Sequence, residues 1–213
     1  MTTNPSSFSK DFRTLSSAII SAIAAPQRMD ENAFTELALR IFRFQREHNP
    51  FYRRYCEITG AAEPGHWTEI PAVPTSAFKR AEIRSFPPEL TATYFQTSGT
   101  TEGESGRHFF PTLELYEAAI VPNFRAHLLT GIAEPIRMLI LTPPPEEAPH
   151  SSLVHMMKAV SEDFGTSNSD YYLRGGELLA DRLLTVLDQC IRDAEPVFLL
   201  GTAFAFVFLM ERM

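Results

Sequence analysis

From Thr112 to Leu200 the chain alternates helical and strand periodicity, and that alternation restricts it to few folds. A helix is expected from Thr112 to about Leu129, and a strand follows at "IRMLILT", residues 136–142. Helices from about His150 to Phe164 and from Glu177 to Ala194 come next, then a strand at "PVFLL", residues 196–200. Strands separated by helices pair mostly in parallel, and the helices cover both faces of the sheet they link. Two more strands, "TATYFQT" (91–97) and "RHFF" (107–110), are joined by a glycine-rich loop alone, so the sheet is expected to be mixed. The fold class expected is α/β.

The first 62 residues read as helical. An opening helix runs to Ala25, with Phe12, Leu15, Ile19 and Ile23 on one stripe. Asp30 caps a second helix, "ENAFTELALRIFRFQREH", whose Phe34, Leu37, Ala38 and Ile41 recur at helical spacing. Asn49 caps a third, with Pro50 at its first position and Gly60 as its stop. Residues 63–90 are Pro-rich and expected to wrap a surface in extended form. The organisation expected is one partial domain over 1–213, made of a helical region (1–62), a connector (63–90) and an α/β subdomain (91–213) holding a loop at 97–107.

Charge and cysteine content narrow the functional classes. A net charge of -7 argues against a generic nucleic-acid binder, which needs clustered Lys and Arg. Cys56 and Cys190 are far apart and have neither metal nor disulfide spacing, which fits a reduced, cytoplasmic compartment. The stretch "LSSAIISAIAA" has the length of a signal-peptide core, but its helical stripe and Pro26 favour a packed helix. The longest uncharged run, "VFLLGTAFAFVFLM", has 14 residues, short of the ~20 that span a bilayer as a helix. No membrane span is expected. His150 and His155 are five apart, off the i, i+4 spacing of two ligands on one helix face, so no metal site is assigned.

The loop "TSGTTEGESG" (97–106) is where chemistry concentrates. It lacks the Gly-Lys-Ser/Thr of a Walker loop, and Gly99, Gly103 and Gly106 are spaced four and three apart, which excludes the dinucleotide pattern. Glycines let successive backbone N–H groups converge on an anion, and Thr97, Ser98, Thr100, Thr101 and Ser105 add hydroxyl donors, with Arg107 at the far end. The same residue types also build ordinary turns, so composition alone leaves both readings open.

A resemblance separates them. "TSGTT" after an aromatic strand resembles the phosphate loop of adenylate-forming ligases. Upstream, "NPFYRRYCEITG" and "IPAVPTSAFKRAEI" resemble two segments of the phenylacetate-CoA ligase-like branch, in the same order. Phe78-Lys79, Arg107 and "SSLVHMM" resemble the acyl-protein synthetases of the LuxE type, over roughly residues 45–213. The resemblance implies the N-terminal portion of an adenylate-forming ligase fold, using ATP and Mg²⁺ to activate a carboxylic (fatty) acid as its acyl-adenylate for transfer to a protein thiol. Implied partners are the acid and an acyl-accepting protein or reductase, as in bioluminescence. Thr97, Ser98, Gly99, Thr100, Thr101 and Gly103 become phosphate contacts, Lys79 and Arg107 catalytic charge partners, and Thr202 and Phe204 part of an acyl pocket.

Departures qualify the match. Glu102 stands where the pattern has glycine, and the pattern's Pro-Lys is absent. The apolar run entering a helix at the end of the chain suggests that the remaining ligase parts, including the adenine-binding segment and catalytic lysine, lie beyond Met213. A non-catalytic nucleotide-binding or partner module, and a phenylacetate-type CoA ligase fragment, are the alternatives. Cys190, at helical spacing from Leu183, Val186 and Leu187, reads as a buried structural thiol rather than an acyl carrier.

Overall fold

A computed structural model describes residues 5–61, 63–97 and 105–213, with side chains from Lys10 onward. The chain divides into two compact units, Met1–Ala119 and Ile120–Met213. Each is α/β in composition.

The first unit begins with α1 (Pro5–Ala24) and α2 (Glu31–His48). Asp30 caps α2 by accepting the Ala33 N–H at 2.8 Å, and Glu31 at the start and Arg46 and His48 at the end suit the helix dipole. Asn49 then serves two helices. It precedes a proline, which disfavours helical backbone, so it turns extended at φ -115° and ψ 101° while its N–H still bonds Gln45 at 2.8 Å. Its side chain caps α3 (Pro50–Ile58) by accepting the Tyr52 N–H at 3.0 Å. Tyr52 and Cys56 on α3 pack with Phe42 on α2, the Phe42 and Tyr52 rings edge-on at 6.0 Å.

The Pro-rich connector has no ladder of its own and is held by side chains. Tyr52 and Tyr55 donate their hydroxyls to the Pro71 and Ala72 carbonyls, at 2.8 and 3.0 Å. The expectation of extended chain needs amending, because a helical turn interrupts it at Trp67–Glu69 and a short helix, α4, at Ala77–Arg80. An antiparallel hairpin follows, β1 (Thr93–Gln96) with β2 (Arg107–Phe110). Phe95 turns to one face, where its ring lies 5.1 Å from those of Phe110 and of Tyr116 on α5 (Glu114–Leu128).

The second unit is built on β3 (Arg137–Leu141). It is flanked in parallel by β4 (Asp170–Tyr171) and β7 (Val197–Gly201), in the order β4-β3-β7. Met138 to Leu141 are at most 1% exposed because both faces of β3 are covered. Leu139 and Leu141 join Leu183 of α7 (Ala180–Arg192) and Ala205 and Leu209 of α8 (Ala203–Met210). Side-chain alternation turns Phe198 the other way, where Phe124 lies edge-on to it at 5.8 Å and stacks at 6.1 Å on Phe164 of α6 (Ser152–Phe164). Helices on both faces of a parallel sheet are thus observed. The single mixed sheet is not: among the described residues β1–β2 forms its own two-stranded sheet.

A second correction concerns the helix expected from Glu177. It starts at Ala180, because Glu177–Leu178 forms β6, paired antiparallel with β5 (Leu173–Arg174). The turn between them is Gly175-Gly176, both at positive φ (57° and 82°), the geometry of a tight two-residue hairpin.

Candidate phosphate loop and neighbouring cations

β1 and β2 bring the two ends of the glycine-rich loop together at a hydrogen-bonded base. The Thr97 N–H donates to the Gly106 carbonyl at 2.9 Å, and the Gly106 N–H donates to Thr97 Oγ1 at 2.8 Å. The Thr97 hydroxyl therefore already closes the loop. Ser98, Gly99, Thr100, Thr101 and Gly103 lie outside the described residues.

Gly106 explains how the Lys79 segment meets this base. A Cβ built there would stand 3.1 Å from the Phe78 carbonyl oxygen and 3.2 Å from its carbon, so the close approach of α4 to the hairpin leaves little room for a side chain. Beside it, the Phe78 ring stacks on His108 of β2, with centroids 4.4 Å apart and planes at 26°. Two segments separated by about thirty residues of sequence are thereby placed in contact. Lys79 follows Phe78 and Arg107 follows Gly106; both are exposed, and neither forms an ion pair with another described residue. The Arg107 guanidinium lies 5.4 Å from the centre of the Tyr94 ring, its diagonal neighbour on β1. The arrangement offers two solvated cations beside the closed base of a hydroxyl-rich loop.

Thr202 and Phe204 belong to the second unit. Thr202 directly follows β7 and caps α8, accepting the Ala205 N–H at 3.2 Å. The chain leaves β3 toward the face carrying α6 and leaves β7 toward the face carrying α8, so Thr202 stands at the carboxyl edge where connections diverge. Open parallel sheets commonly carry ligands at such an edge. Phe204 is 76% exposed on α8.

Cys190 is 2% exposed. Its thiol donates to Glu195 Oε2 at 3.4 Å and accepts from Arg137 Nη1 at 3.5 Å. Burial, then the bond to Glu195, push its pKa up, which keeps the thiol protonated and poorly nucleophilic. Among the described residues no group of three or more His, Cys, Asp or Glu could hold a metal ion, and no helix is long and apolar enough to cross a membrane.

Arg84 escaped the reading of the residues, which left it in a surface-wrapping connector. Its side chain is only 11% exposed and lies over the Phe109 ring. The available signal was its place between Ile83 and Phe86, ahead of two prolines. Comparisons with protein-family models, curated proteins and solved structures find no match to this chain.

Proposed function

We propose that the chain is an acyl-protein synthetase-like part of an adenylate-forming ligase, in which the 97–106 hairpin loop holds the phosphates of ATP. The observation that carries this reading is the contact between the loop base and α4, through Gly106 on Phe78 and Phe78 on His108. Two segments that resemble the same ligase branch are neighbours in space, and each brings a cation to the loop.

The chemistry asks little covalent help of the protein. A carboxylate oxygen attacks the α-phosphorus of ATP, the bond to the bridging oxygen breaks in line, and pyrophosphate leaves with the charge. Lys79 and Arg107 neutralise that charge, while backbone N–H groups and hydroxyls of the loop fix its direction. Thr202, at the carboxyl edge of its sheet, is assigned to the acid. Mg²⁺ enters this reading only in company with the nucleotide.

Pyrophosphate exchange tests the reaction. Labelled pyrophosphate should enter ATP when this chain, a carboxylic acid and a ligase C-terminal half are supplied together, and Thr100→Ala should suppress it. Nucleotide binding with no acid-dependent exchange would overturn the ligase reading and leave a nucleotide-binding module.

A further inference from the structure

Within the first unit, α1, α2, the 83–86 stretch and β2 surround a cavity of about 280 Å³. Its wall is mainly apolar, with Leu15, Ile19, Phe44, Phe86 and Phe109 among its side chains. One guanidinium interrupts that wall. Arg84 lies 4.1 Å from the centre of the Phe109 ring, and its Nη1 donates to Thr91 Oγ1 at 3.0 Å. Its Nη2 donates to the carboxylate of Glu82, a side chain that is 68% exposed. The cation is thus set into the wall while its anion stands in solvent. A second hollow, of about 460 Å³, shares Asn49, Arg84 and Phe86 with the first. Arg84 therefore stands where the two hollows adjoin.

Small-molecule sites are typically apolar hollows in which a few polar groups fix orientation. An apolar guest in such a half-open hollow takes apolar wall out of water, which favours binding. The Glu82 carboxylate is 68% exposed and regains full hydration when it leaves Arg84, and a planar guanidinium beside an aromatic ring can take a ligand carboxylate on two parallel hydrogen bonds. We propose that this cavity binds a linear monocarboxylate of medium chain length. The tail lies among the apolar side chains, and the carboxylate sits on Arg84 in place of Glu82. At about 280 Å³ the hollow is near the small end of small-molecule sites, which suits a short ligand such as octanoate. The cavity contains no residue of the glycine loop, so this inference stands or falls apart from the nucleotide reading.

The test is calorimetric titration of the whole chain, without nucleotide, using octanoate, octylammonium and butyrate. Octanoate should bind saturably and at least ~10-fold more tightly than either of the others. Arg84→Met should weaken octanoate by about the same factor while leaving 1-octanol unchanged. Ile19→Phe, which fills the cavity from α1, should weaken both. Should either variant fail to fold, the comparison of octanoate with octylammonium on the unaltered chain decides alone. No octanoate binding, equal affinity for octylammonium, or undiminished octanoate affinity in folded Arg84→Met overturns the proposal.

Discussion

Tyr52 shows how one side chain is tied into both core and connector. Its ring packs edge-on to Phe42, and its hydroxyl holds the Pro71 carbonyl at 2.8 Å. Burial first, then the neighbouring Cys56, push the phenol up to about 12 from its ordinary 10.0. The unfolded chain therefore ionises first as pH rises, so stability is fully present below pH 10 and lost progressively toward pH 12. Urea midpoints of the unaltered chain should fall more steeply over that window than those of Tyr52→Phe. Parallel pH curves for the two would show that the buried phenol is not the group responsible.

At the scale of elements, two residues decide where structure stops and restarts. Asn49 ends α2 and caps α3 from a position only 5% exposed. Asn49→Ala is expected to cost about 1–2 kcal/mol, and Asn49→Ser, which keeps a capping oxygen, less. A melting temperature equal for Asn49→Ala and the unaltered chain would remove the cap from the explanation. Gly201 closes β7, where an added Cβ would stand 2.9 Å from the Leu141 Cβ of the neighbouring strand. Gly201→Ala should therefore lower stability by about 1–3 kcal/mol, read as a lower urea midpoint at unchanged slope.

These elements also show what the residues disclose. The caps at Asp30 and Asn49 were legible because a cap is a local event, fixed by one side chain and the next turn of backbone. So were β3, β7 and the strands of the hairpin, whose apolar runs are short and bounded by loops. The β5–β6 hairpin was missed although Gly175-Gly176 marks it, because Leu179, Leu183 and Leu187 fit a helical period and drew the helix start forward. Arg84 was beyond local reading, since its burial depends on Phe109, twenty-five residues later. For the candidate site, residue types and order were legible, whereas the contact of Phe78 with Gly106 required the fold.

At the scale of the whole molecule, the two units carry different features. The first carries the loop base with Lys79 and Arg107, and the second a parallel sheet with Thr202 at its carboxyl edge. The claim on which the rest depends is that the loop holds ATP through its phosphates, and the most direct measurement is the melting temperature of the chain titrated with ATP and, separately, with AMP. A ligand at a hundredfold excess over its Kd adds about 2.7 kcal/mol, several degrees for a chain of this size. ATP should produce that rise, AMP little of it, and the Lys79→Ala, Arg107→Ala double variant should lose most of the ATP effect. No rise with millimolar ATP, or equal rises with ATP and AMP that the double variant leaves untouched, would contradict it.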